Sequence, residues 1–560
     1  MIQGPKFSAD QSESSGRLLG IWLLPYFDLL AQSEQMYLLH PDAHWREAFS
    51  YCRLAINLAI TDWKLGNNGD WWRPFLNRNR QTEPAKWQQA LFNKSYPGLM
   101  YDSFPEDLQI DINTAKNSFL LSLQSGEPIS LPWQCAERKP HRKETLAEDK
   151  RISIDIYRPA EFYRFMAKAY RSECRAYTFR AHKSRGGKEA RNQLNRLLAA
   201  RARFAIDVGA DNWTDYQLQH SLLSKHEIRN FLLALERQLT AFSKDYSPSS
   251  LQPWDLWFRQ TQSLSQHSHQ SNQELRIALT TDAVTNRIAF WSEKLELRLK
   301  HLEAYKWGAD VSILQLLDSQ ERVFGEIYID LSHPKTKLGI GRLRYPVAGY
   351  QAGAMLIKGQ KSPLAKVRLS SLDSAILQAL QGILHHPEYP GFTASAYPDL
   401  QGLENKILKA ISEQRQPTRH PHLWLRQVLS AKLALAYHQN DLSQGSFEKL
   451  TIKLIGDNLD AIGTPPAQIP YAMSNLASPG VFSYRELWQK AIAQQVSARY
   501  HAGELELDTL LSELNRLRGP QAKQTLKRLT GFEVGSKRYG VELAKKFISS
   551  LYPDLPEKSE

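Results

Sequence analysis

The residues Gln378-Ala379-Leu380-Gln381-Gly382-Ile383-Leu384-His385-His386 close an apolar run that begins near Ser371. The density of apolar residues and the absence of Pro between Ser371 and position 387 make the run compatible with a helix. Pro387 follows at once and ends it. His385, His386 and Glu388 cluster just past this helix and are weak candidates for a metal set. The proline between them keeps them from facing one ion at helical spacing.

Upstream, Val311 to Asp330 is the clearest β-like stretch. Ile313 to Leu317 is apolar, Asp318-Ser319-Gln320-Glu321 is a turn signal, and Val323 to Asp330 alternates. Before it, Gln260 to Gln273 is rich in Ser, Gln and His and reads as a surface loop. Residues 160–242 read as a long helical block. Its cations include Arg171, Arg175, Arg180, Lys183, Arg185, Arg196 and Arg201. Without regularly interleaved aromatics, the expected role is a solvated basic face, and no nucleic-acid partner is expected. Residues 17–65 read helical, with Trp45, Phe49, Cys52, Ile56, Ile60 and Trp63 at helical spacing. Downstream of position 398 the chain is helical to its end, broken at Gly463-Thr464-Pro465-Pro466.

The chain has 560 residues and a net charge of +13, with 42% hydrophobic residues. That length supports more than one lobe, and the composition is globular. The basic balance leaves anionic partners open. Cys52, Cys135 and Cys174 are far apart and odd in number. This suggests a reducing compartment, no disulfides and a cytoplasmic location. No stretch suggests a membrane span. The expected fold is mainly α with one small β element near 311–337. Its expected divisions are 1–150, 151–310 and 311–560.

Several stretches, in order, resemble the thimet oligopeptidase/oligopeptidase A family of zinc peptidases (peptidase family M-three). Asn192 to Arg201, followed by Phe204, Ala205 and Gly209, is similar to the family's N-x-x-L-x-x-L-x-x-x-R…A…G segment. Pro253-Trp254-Asp255-Leu256 resembles its P-W-D signature. Val323 to Lys337 resembles its G-x-F/Y-x-x-D-L…K hairpin. Leu487-Trp488, Lys490, Ala493 and Arg499-Tyr500 resemble its C-terminal L-W-x-K…A…R-F helix. The agreement runs from about residue 160 to 545 and is weaker over the first 130 residues. The resemblance implies a two-lobed helical fold around a deep, peptide-admitting channel. The 151–310 lobe would carry the P-W-D segment, and 311–560 the former catalytic helix.

The departures fall on the chemistry. An H-E-x-x-H helix grips zinc with two His on one face and activates water with the Glu. The resemblance puts Gln378, Ala379 and Gly382 at those three positions. The third ligand, a Glu on the next helix, falls at Gly402. Ser474, Pro479, Ser483 and Glu486 stand where the family has the His and Tyr that bind substrate and stabilise the oxyanion. Tyr484 remains as a peptide-binding candidate. The resulting reading is a catalytically degenerate oligopeptidase-like protein that binds a peptide or protein partner and needs no cofactor. The alternatives are an active peptidase with a rebuilt zinc site and a basic anion-binding module using the 168–203 block.

Overall fold

The computed structural model describes residues 25–26, 28–37, 42–66, 106–135, 151–219, 221–246, 252–268, 276–304, 306–332, 337–346, 351–384, 397–413, 420–439, 446–458, 463–517, 521–536 and 538–552. The chain forms two compact units, each assembled from three separate stretches. The first takes residues Met1–Asp102, Gln273–Arg415 and Ala493–Val534. The second takes Ser103–Asn272, Gln416–Ile492 and Gly535–Glu560.

In chain order, α1 (Ala43–Gly66) belongs to the first unit. The second unit then takes α2 (Glu106–Ser122), β1 (Ile129–Pro132), β2 (Arg151–Ile154), α3 (Pro159–Lys168), α4 (Ser172–Lys183), α5 (Gly187–Asp207), α6 (Trp213–Leu218), α7 (Lys225–Tyr246) and α8 (Leu256–Ser268). The first unit resumes with β3 (Arg276–Leu279), α9 (Thr281–Glu293), β4 (Arg298–His301), β5 (Ser312–Leu317), β6 (Val323–Asp330), β7 (Gly339–Arg344), β8 (Gly353–Lys358), β9 (Ser362–Arg368), α10 (Leu369–Leu384) and α11 (Leu403–Ser412). Next come α12 (Pro421–Tyr437), α13 (Ser446–Ile455), a series of 3-10 turns up to Gly480–Tyr484, and α14 (Arg485–His501). Finally α15 (Leu507–Arg516) and α16 (Ala522–Thr530) lie in the first unit and α17 (Tyr539–Leu551) in the second. The protein is mainly α with small sheets, as its sequence suggests.

Local chemistry starts and stops many of these helices. Thr280 caps α9 by accepting from Ala283 N at 3.2 Å. Asn212 caps α6 through Asp215 N at 3.0 Å. Pro159 and Pro421 sit at first helical positions, where a missing N–H costs nothing. Gln260 to Ser268, expected as loop, lies within α8 instead. Its Ser and Gln are polar but permit a helix, and composition misled the reading there.

The first unit is built on a five-stranded sheet of order β4-β5-β6-β8-β7. The hairpin expected at 311–337 is β5 with β6, pairing Leu314 with Ile327. The sheet extends beyond it through β8, parallel to β6, which aligns Met355 with Ile327. Along β6, Gly325, Ile327 and Ile329 turn inward, as period-two alternation requires. Helix α10 presses on this sheet. A Cβ on Gly325 would lie 2.2 Å from Ile383 Cγ2, so only glycine permits the approach. Leu372, Ile376, Leu377, Leu380 and Ile383 bury the helix. Asp373 fixes its first turns to α9, accepting from Arg287 Nε at 2.8 Å, Arg287 Nη2 at 2.9 Å and Trp291 Nε1 at 3.0 Å. Its far end is tied by Gln381 Nε2 to Asn515 Oδ1 at 2.9 Å and by Asn515 Nδ2 to Leu384 O at 3.2 Å.

In the second unit, Leu131, Phe162, Phe165, Met166 and Phe179 form a core with Cys135 and Cys174. Those two cysteines are joined in a disulfide spanning 39 positions. This corrects the expectation that the three cysteines stay unpaired: remote sequence positions are brought side by side by β1, α3 and α4. Disulfides persist in oxidising surroundings, so cysteine usage no longer argues for a reducing compartment. Cys52 is free and exposed. Among the described residues, no helix is long and apolar enough to cross a membrane.

The P-W-D phrase holds the second unit together. Asp255 accepts from Arg175 Nη2 at 2.6 Å and Nε at 2.9 Å, and from Ser172 Oγ at 2.9 Å. Trp254 Nε1 donates to Ser172 Oγ at 3.1 Å. Trp488 of the L-W phrase is fully buried and donates to Tyr539 Oη at 3.2 Å.

Candidate functional site

Helix α10 carries the first group of positions. Gln378 is half-buried and donates through Nε2 to Ser374 Oγ at 3.0 Å, one turn back along the same row. Ala379 is wholly buried. Gly382, next in the row of Ser374 and Gln378, faces the sheet. A Cβ there would lie 2.8 Å from Met355 Sδ and 2.9 Å from its Cε. Its carbonyl accepts from Arg342 Nη1 at 3.0 Å. Gly402 precedes α11 with φ +81°, a left-handed conformation natural to glycine at a helix boundary. A Cβ at 402 would meet nothing within 4 Å. Glu404, two residues on, is buried and accepts from Gln381 Nε2 at 3.4 Å.

The donors at the four assigned positions are therefore one amide; the other three side chains are a methyl and two hydrogens. Such a set does not fit zinc, which takes thiolate, imidazole or carboxylate ligands. Among the described residues, no three His, Cys, Asp or Glu are grouped to hold a metal ion. His385, His386 and Glu388 lie outside the described residues.

The second group lies in the other unit. Ser474 and Pro479 are exposed, and Pro479 follows a cis peptide bond. Ser483 donates to Gly480 O at 2.6 Å and accepts from Asn475 Nδ2 at 3.1 Å. Glu486 is exposed and pairs with Lys490 Nζ at 3.0 Å. Tyr484 is closed to solvent, with its hydroxyl 3.2 Å from Ser221 Oγ. In this placement its ring packs inside the unit and its polar tip is matched.

Arg201 and His438, which sequence reading did not single out as a pair, organise this segment. Arg201 donates through Nη1 to Leu476 O at 2.7 Å and through Nη2 to Ala477 O at 2.8 Å. Its Nη1 also donates to His438 Nε2 at 2.7 Å. Nε2 accepts, so Nδ1 carries the proton and donates to Ala434 O at 2.6 Å. Burial, then the adjacent guanidinium, lowers His438 to about 3, so the ring is neutral. Burial lowers Arg201 to about 10, which still leaves it charged at neutral pH. Gly480, with φ +63°, lets the chain turn beside both groups. The basic block is thus no uniform solvated face: Arg175 and Arg201 are buried and Arg185 is half-buried. Leu197, Leu198 and Phe204 around Arg201 are the signal that could have placed it inside.

Residues 165–342 match the family model described as peptidase family M3. No curated protein matches the chain in sequence. Its fold is similar to that of a Chlamydophila abortus protein described as a "putative peptidase". That match has 12% identity and a TM-score of 0.58, covering 98% of this chain and 91% of the other. Oligoendopeptidase-F from Enterococcus faecium matches at 8% identity and a TM-score of 0.45, over 97% and 94%. The segment matched to the family holds the P-W-D phrase, the hairpin and Arg201, which are the framework groups described above. Over residues 165–342, this chain is similar to peptidase family M3.

Proposed function

We propose that this protein is a catalytically silent oligopeptidase relative that binds a peptide or protein partner without cleaving it. The observation that carries this reading is Gly382. The position assigned to a zinc-binding imidazole has no side chain, and the space its Cβ would need is taken by Met355. Gln378 and Gly402 add to it, since neither offers a strong metal donor. Ser474, Pro479, Ser483 and Glu486 offer no Tyr or His to a developing oxyanion, and Glu486 carries charge of the wrong sign there. The framework residues are themselves well partnered, as the Asp255 and Trp488 contacts illustrate.

The test combines elemental analysis, turnover and binding on the purified full chain. Less than a tenth of an equivalent of zinc, no cleavage of a quenched-fluorescent peptide library, and saturable binding of some of its members are expected. Close to one tightly held zinc per chain, with chelator-sensitive cleavage, would reject the proposal.

A further inference from the structure

In the second unit, α4, α8 and α12 bring cations onto a shared aromatic surface. Arg426 Cζ lies 4.7 Å from the centre of the Trp257 ring and 5.2 Å from that of Phe179. Lys183 Nζ lies 5.6 Å from the same Phe179 ring. Arg426 Nη1 is shut off from solvent and has no hydrogen-bond partner. Arg185, two residues beyond Lys183, donates to Leu123 O at 3.1 Å and to His182 O at 2.6 Å, which are neutral acceptors. Asp255, on the loop before α8, is already engaged by Arg175 and Ser172. Among the described residues, no carboxylate pairs with Lys183, Arg185 or Arg426.

Like charges gathered in a shielded place without a counter-charge are unfavourable. Burial, then the Arg426 and Arg185 charges, pushes the Lys183 ammonium well below the usual lysine range. An anion removes both costs at once. The aromatic rings attract the cations through their faces but neutralise nothing. They flank the guanidinium, whose planar edge keeps Nη1 without a hydrogen-bond partner. That edge matches two oxygens of one oxyanion, and an ammonium adds a point charge beside it.

We propose that Arg426 and Lys183, backed by Phe179 and Trp257, bind an oxyanion, either a phosphate group or a free carboxylate. Arg426 supplies paired N–H donors and Lys183 the second positive charge. The site is independent of the assigned zinc positions, which lie in the other unit, and does not depend on the chain being silent.

Thermal unfolding of the full chain is measured in rising inorganic phosphate, with sodium chloride at matched ionic strength as the control. A saturating rise in Tm beyond the chloride control is expected, because a ligand held by the folded state alone stabilises it. Titration with inorganic phosphate, and with an acetylated tripeptide as free acid and as amide, identifies the source of the oxyanion. Binding of phosphate alone assigns a phosphate site; binding of the acid but not the amide assigns a carboxylate site. Arg426→Met and Lys183→Met are each expected to weaken binding at least tenfold and to abolish the Tm rise. Lys183→Met removes an uncompensated charge, so without phosphate it is expected to unfold no lower than the parent. This separates a lost site from a lost fold. Arg426→Lys keeps the charge but loses the fork, and is expected to bind more weakly than the parent. The proposal is overturned if neither oxyanion shifts Tm beyond chloride, or if both Met variants keep the full shift.

Discussion

Asp255 shows what one residue of this chain has to do. Its carboxylate accepts two N–H groups of Arg175, a side chain buried on a helix 80 positions earlier in sequence. Removing one partner of such a pair leaves a buried charge unmatched, at a cost of about 3–5 kcal/mol. Asp255→Ala is therefore expected to lower unfolding free energy by about 3 kcal/mol or more in denaturant titration. His182 and His438 set a second expectation. Burial is the first cause of both low values, and each is held at about 3, against 6.5 unfolded. Between those values the unfolded chain binds protons that the native state refuses, so stability falls as pH drops below about 6.5. The slope is up to about 1.4 kcal/mol per pH unit for each ring. His438→Gln is expected to reduce that slope in denaturant midpoints measured from pH 7 to pH 5. An unchanged slope would mean His438 takes up a proton in the native state. These partnerships were not readable in sequence: Arg201 and Arg175 look like members of a basic run, and Arg201 reaches His438, Leu476 and Ala477 while Arg175 reaches Asp255.

Among the elements, α10 and the β5–β6 hairpin were the most legible. The first is dense in apolar residues and the second alternates at period two. Strands β7 and β8 were not. The first carries Gly339, Gly341, Arg342 and Arg344, and the second buries five consecutive residues with no alternation to read. The disulfide escaped for a similar reason, since only the folded arrangement of β1 and α4 makes neighbours of Cys135 and Cys174. Packing of α10 on the sheet yields its own test. Gly325→Ala would force a methyl against Ile383, and overpacking of this kind costs about 1–3 kcal/mol. The loss is expected in the unfolding midpoint, and the loss in the Gly325→Ala, Ile383→Ala double variant is expected to be smaller than the sum of the two single losses. Additive losses in that pair would show that α10 does not rest on β6 through this contact.

For the molecule as a whole, the sequence carried the helical class, the hairpin and the phrases that resemble peptidase family M3. It did not carry the assembly of each unit from three separated stretches, because the contacts that define a unit are not periodic in sequence. At this scale we propose that a peptidase-like framework persists while the positions assigned to a metal hold no ligand chemistry. Restoring the side chains alone meets two obstacles. A His at 382 must displace Met355, and a Glu at 402 must adopt φ +81°, which costs an L-residue roughly 1–2 kcal/mol. The most direct measurement is zinc content of the purified, dialysed wild-type protein, read by elemental analysis beside peptide turnover with and without chelator. The account expects well under a tenth of an equivalent of zinc and no chelator-sensitive cleavage. One equivalent of retained zinc with turnover that a chelator abolishes would contradict it.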